Sequence, residues 1–286
     1  MKNLIILFLT ILFLTACEKE LDIKPEEYKS KLVVNCLFNE TGPFTFQVSN
    51  SLSILDNTRP TEFGDAVIEL YEDGVKIEIV PFVAAANKYV STIKPKPEKN
   101  YGIRVAKSGY TQAEASGKLP SVVPFTFVSF KDSTILDKDN NYFGELTLRF
   151  NDPAVNNFYG FRLEYWSDIS MQYELLYDKE TLDPSLTNSE AFTTNDGTIY
   201  FKDVLFNGKV KEILFKIPAG YYTTTPNFRV SLYSLGFDYF NYSVSSAQAA
   251  ARGGFSLFSE PAQVHNNIKD GIGIFAGFSL DADTIK

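Results

Sequence analysis

Apolar residues recur at every second position along most of this 286-residue chain, and that period confines it to strands. In FTFQVS (44–49), Phe44, Phe46 and Val48 alternate with Thr45, Gln47 and Ser49, the pattern of a strand with one buried face. VIELYEDGVKIEIV (67–80) keeps the alternation on both sides of Asp73-Gly74, a pair able to take the positive φ angles of a two-residue hairpin turn. KYVSTI follows, and Pro95 and Pro97 then break the chain before YGIRVAKSGYTQAEASGKLP. There Tyr101, Ile103 and Val105 alternate, and Ser108-Gly109 turns the chain back. Short strands at this spacing predict an all-β fold, beginning with an immunoglobulin-like β-sandwich over 31–120.

Ser121 to Pro124 reads as a linker into a second β-sandwich-like domain over 121–286. Its strands are PFTFVSF, ELTLRF, YGFRLEYW, GTIYFKDVLF, KEILFKI, FRVSLYSLG and GIGIFAGFSL. FDYFNYSVSSAQAAARGG departs from the period: Phe240, Val244 and Ala247 fall at helical spacing. Asp238 fits an N-cap there and Gly253-Gly254 a stop, which predicts one short helix.

The N-terminus answers where the protein lives. Lys2 precedes Leu4–Leu14, a run too short for a transmembrane helix but fitted to the apolar region of a secretory signal. Leu14-Thr15-Ala16-Cys17 resembles the bacterial lipobox, in which small residues admit the chain to a peptidase and the thiol takes a lipid. Residues 1–16 are therefore expected to be removed and Cys17 to be the lipid attachment site. Multiple acyl chains at about 0.8 kcal/mol per methylene hold a protein on a membrane without spanning it. Residues 17–30 read as a charged tether. Without residues 1–16 the chain has 26 basic and 35 acidic residues, a balance of −9. Such a chain, with no basic run, argues against nucleic acid.

By this point KLVVNCLF, GKLP, LRFNDPAVNNFYGFRLEYW, SLYSLGFDYFNYSVSS and FSEPAQVHNNIKDGIGIFAGFS carry a resemblance. The chain resembles the large family of Bacteroidota lipoproteins of unknown function often encoded beside TonB-dependent outer-membrane receptors. Asp270 stands where that family commonly has the first of two glycines, and Asp tolerates the left-handed turn a glycine would serve. The resemblance implies an outer-membrane location and a receptor barrel as partner, and it brings no catalytic residues. Glu18-Lys19-Glu20 resembles the acidic export signal of surface lipoproteins, interrupted by Leu21 before Asp22, which points the protein to the cell exterior.

Nothing else in the chain carries a chemical motif strongly. DKDNNYFGE (137–145) offers hard oxygens at Asp137, Asp139 and Asn141 but has Tyr142 and Leu148 where a calcium loop needs Gly and an acid. Gly271, Gly273 and Gly277 lie within a strand, not between a strand and a helix, so they suit close backbone approach instead of a dinucleotide. Glu164, Asp168 and Glu174 are close in sequence, but a hydrolytic carboxylate pair is defined by separation in space. His265 is the single histidine, and Cys36, within an apolar run, reads as a core thiol. Tyr221 and Tyr222, in an expected loop, are the candidate binding residues for a sugar or protein. No metal, cofactor or enzymatic activity is expected. The expected function is a non-catalytic lipoprotein partnering an outer-membrane β-barrel; the alternative is a stand-alone surface glycan- or host-binding module.

Overall fold

The computed structural model describes residues 28–53, 56–136, 141–177, 179–181, 183–187, 191–194, 196–221, 227–252 and 263–285. The expected all-β class holds. In chain order the strands are β1 (Leu32–Phe38), β2 (Thr45–Asn50), β3 (Val67–Glu72), β4 (Val75–Ile79), β5 (Phe82–Val83), β6 (Lys88–Val90), β7 (Asn100–Ala106) and β8 (Ala113–Lys118). They continue as β9 (Phe125–Leu136), β10 (Tyr142–Asn151), β11 (Phe158–Ser167), β12 (Gln172–Leu175), β13 (Phe192–Thr193), β14 (Ile199–Lys202), β15 (Val210–Pro218), β16 (Phe228–Leu235) and β17 (Ile272–Ile285).

Two sandwiches form, and the alternation explains each core. In the first, the β4-β3-β7-β8 sheet faces β1, β2, β6 and β5. Phe44, Phe46 and Val48 point inward with Tyr101, Ile103 and Val105 from the opposite sheet. Their rings interlock: Phe44 meets Tyr101 at 4.9 Å between centroids, and Phe38 meets Phe275 at 4.8 Å. In the second, β15-β10-β9 faces β14, β11 and β16, with Phe161 stacked on Phe215 at 4.7 Å. Asp73 and Gly74 take φ of 49° and 83°, the turn that their sequence demands.

One strand belongs to both sandwiches. The first half of β17 pairs in parallel with β1, from Val33–Ile272 to Phe38–Gly277. Its second half pairs antiparallel with β16, from Leu235–Phe278 to Phe228–Ile285. Phe275 of β17 and Ile268 just ahead of it enter the first core although they lie 155 and 148 residues beyond the expected boundary at 120. The C-terminal segment thus stitches the two cores into one sheet that runs from β13 to β5.

The glycines of β17 make that pairing possible. Gly273 has φ of 122°, and a Cβ there would lie 2.1 Å from the Val34 carbonyl oxygen. A Cβ on Gly277 would sit 2.7 Å from the Lys118 carbonyl oxygen. Asp270 takes the left-handed turn at φ of 58° just before them.

The helix spans Phe237–Arg252, longer than expected and beginning two residues earlier, so Asp238 lies inside its first turn instead of capping it. Phe240 packs with Tyr200 and Leu235 on the outer face of the long sheet. The stop expected at Gly253-Gly254 lies outside the described residues. A helical turn at Pro184–Thr187 was not legible in the sequence. Among the described residues no helix is long and apolar enough to cross a membrane.

Cys36 is buried in β1, and burial pushes its thiol well above the usual range. A maleimide should therefore label it slowly in native buffer and within minutes in denaturant, as read by mass shift. Rapid native labelling would place β1 outside the core.

Candidate functional site

The two ends of β17 define two ends of the molecule. At the Ile272 end the described chain begins: Tyr28 donates its hydroxyl to Ser51 Oγ at 2.6 Å, and Ser51 and Lys31 exchange bonds at the start of β1. At the Ile285 end, Phe228 and Tyr165 lie in register on β16 and β11. The 14 residues of the strand give a contour of about 40 Å between the ends at the usual rise per residue.

Beyond Tyr165 the β11–β12 hairpin projects from that far end. Ser167 pairs with Gln172, leaving Asp168, Ile169, Ser170 and Met171 in the loop, closed by the Met171 amide donating to the Ser167 carbonyl at 2.8 Å. Met171 turns the chain with φ of 56°. Ile169 is 98% exposed and Met171 69% exposed, although both are large and apolar.

The base beneath this loop is heavily braced. On the sheet's outer face Trp166 meets Tyr173 edge-on at 5.3 Å, and the Arg229 guanidinium lies 4.5 Å from the Tyr173 ring centre. Arg229 Nε donates to Glu164 at 2.6 Å, Arg162 pairs with the other carboxylate oxygen at 3.2 Å, and Tyr173 donates to Asn227. Glu164 raises the affinity of Arg229 for its proton. On the inner face Tyr165 donates to Glu174 at 2.9 Å. Hydrogen bonds from Ser170 and Tyr165 hold the Glu174 carboxyl below the usual range, so it is ionised at neutral pH. This arrangement can hold an apolar knob in one pose with acids beside it, and recognition is what a knob of that kind serves.

Register separates the carboxylates that the sequence grouped. Glu164 pairs with Leu175 and Tyr165 with Glu174, so the two glutamates point to opposite faces of the sheet. They form no hydrolytic pair.

The family profile described as Domain of unknown function (DUF4249) matches residues 18–283. The chain belongs to this family. No curated protein matches it.

In this DUF4249 chain the sequence candidates fall as follows. Tyr221 is half-buried at the same far end, meeting Tyr165 edge-on at 5.1 Å at the border of the second core. Tyr222, Cys17 and the Asp137 and Asp139 oxygens lie outside the described residues. His265 is not alone: its Nε2 lies 2.8 Å from Asp238, while its backbone amide donates to Ser245 Oγ. Ser245 in turn donates to the Asn241 carbonyl, so its hydroxyl is committed to the backbone. Among the described residues no group of three or more His, Cys, Asp or Glu could hold a metal ion.

Sequence reasoning missed the hairpin. SDISM carries no period, and an isolated Ile in such a loop gives no sign of which way it faces.

A concavity of about 510 Å³ lies at the waist between the sandwiches, bordered by Lys118, Val155, Phe158 and Phe237. Val155 and Phe237 are 61% and 60% exposed there. The loop carrying Val155 is fixed from below: Asp152 accepts from Tyr159 at 2.5 Å and from the Gly208 amide at 2.7 Å, and Asp203 accepts from the Asn157 amide at 2.7 Å.

Proposed function

We propose that this protein is a lipid-anchored, non-catalytic binding protein on the outer membrane of a Bacteroidota cell, facing outward and docking on a β-barrel of the TonB-dependent receptor class. The observation that carries the reading is the opposition of the two ends of β17. The chain enters at one end, where Tyr28 is tied to Ser51, and a braced apolar hairpin stands at the other. The family match begins at residue 18, directly after the cysteine expected to carry lipid. An anchor at Cys17 confines the chain to a surface and raises its effective concentration beside other membrane proteins.

Two experiments test this. Cys17→Ala should abolish labelling by an alkynyl palmitate analogue; labelling equal to wild type would sink the anchor. Capture from mild detergent should bring down an outer-membrane barrel, and the lipoprotein recovered alone after crosslinking in intact cells would remove the partner. The affinity tag belongs in the β7–β8 turn at Ser108-Gly109, because β17 ends beside the hairpin and a C-terminal tag would crowd it.

A stand-alone glycan-binding module is the second reading, favoured by a trough of about 490 Å³ on the first sandwich. Gly102 forms part of its floor beside Tyr71 and Ala115, with Asn100, Arg104 and Glu114 along its sides. Retention on a polysaccharide gel that Tyr71→Ala or Tyr221→Ala and Tyr222→Ala abolishes would promote it; no retention on a broad panel would remove it.

A further inference from the structure

We infer that the hairpin Ser167–Gln172 is the docking element, and that it seats Ile169 and Met171 in an apolar socket of a protein partner rimmed by basic side chains. This rests on the reading of the protein as a partner of a membrane protein. Its own grounds are local. Ile169 and Met171 are exposed on a loop whose backbone is closed by the Ser167–Met171 bond. The base is locked by the Trp166–Tyr173 ring contact and the Arg229–Glu164 pair, so little order is lost when the knob is seated. An unbranched thioether beside a branched aliphatic side chain adapts to an irregular apolar hole.

Charge decides what kind of occupant fits. Asp168 is exposed beside the knob, and Glu174 lies just below it, ionised and held by Tyr165. The chain as a whole is acidic. Asp168 at the apolar tip and Glu174 below it outweigh Arg162 and Arg229, which share Glu164, and this net negative charge disfavours insertion among anionic headgroups and a symmetric contact with a second copy. It favours a socket with Lys or Arg at its edge. Position agrees: the hairpin stands at the end of β17 away from the point where the chain enters β1.

The test uses the full-length anchored chain in its own cells. Ile169→Asp combined with Met171→Asp should lower recovery of the captured barrel roughly tenfold or more, the loss expected of a central apolar anchor. Asp168→Lys should lower it several-fold and weaken its dependence on salt. Both changes lie on exposed loop positions, so circular dichroism and the unfolding midpoint should match wild type. A diazirine amino acid at position 169 should crosslink to the barrel itself. A barrel captured equally well by the double variant, with no crosslink from position 169, overturns the hairpin assignment and leaves the proposed function standing. Crosslinks to lipid alone or to a second copy of the chain also overturn it. Capture of no barrel from wild type overturns both readings.

Discussion

Gly273→Ala is expected to destabilise both sandwiches together. The residue sits at φ of 122°, which side-chain-bearing residues adopt only with strain, and its missing Cβ lets the Val34 carbonyl approach. A methyl group 2.1 Å from that oxygen cannot be relieved by rotating a side chain, because both partners are backbone. The two strands must separate or the turn at Asp270 must change. Strain and overpacking of this kind cost at least about 3 kcal/mol in total. For a chain of this size that lowers the midpoint by roughly 6–12 °C. Because β17 lines both cores, tryptophan fluorescence from Trp166 in the second sandwich should report the loss as fully as far-ultraviolet circular dichroism does. Gly42→Ala, at a site where an added Cβ meets nothing within 4 Å, should leave stability near wild type. A Gly273→Ala protein as stable as wild type would mean that β1 and β17 do not pair in this register.

Asp152→Ala should also destabilise the protein, for a different reason. Its carboxylate is buried and answers the buried Tyr159 hydroxyl and the amide of Gly208, an exposed residue. Burial raises the pKa of Asp152, and the same burial, with the adjacent carboxylate, pushes the Tyr159 hydroxyl up. Removing the acceptor strands the buried Tyr159 hydroxyl at about 1–3 kcal/mol and leaves the Gly208 amide to water, so a loss of roughly 2 kcal/mol is expected in urea unfolding. Tyr159→Phe in the Asp152→Ala background removes the stranded donor and should recover part of that loss. Full additivity of the two substitutions would show that the hydroxyl and carboxylate do not interact. The consequence reaches the surface, since Asn157 bonds both Asp152 and Asp203 and closes the loop that displays Val155 at the waist.

The contrast between these two sites shows what the sequence could and could not disclose. Alternation at Phe44, Phe46 and Val48 was enough to name inward-facing residues, because a strand's period is local. Asp73-Gly74 was enough to place a turn for the same reason. The role of Gly273 was half legible. A glycine inside a strand signals close approach, but its partner Val34 lies more than 230 residues away in a parallel pairing that no local pattern encodes. GIGIFAGFSL therefore reads as a strand of the second domain, whereas its first half completes the first. The NDPAVNNFY stretch was visible as text, but the reason for Asp152 emerges only when Gly208 is brought across from another loop. At the far end Tyr221, expected in a loop, closes a short 3-10 turn, and its packing on Tyr165 could not be foreseen. The exposed Ile169 was invisible because exposure is a property of the folded hairpin and not of an isoleucine.

What joins these features is a single body with the chain's entry at one end and the apolar hairpin at the other. Spin labels test it directly. With Lys29→Cys and Ile169→Cys introduced together and Cys17→Ala removing the competing thiol, buried Cys36 stays unlabelled and the two probes mark the two ends. Pulsed dipolar spectroscopy should give one narrow distribution centred at about 40 Å or more, set by the contour of β17 between them. A short mean distance would place anchor and hairpin on the same side, and a broad or two-peaked distribution would mean that β17 does not bind the sandwiches into one body.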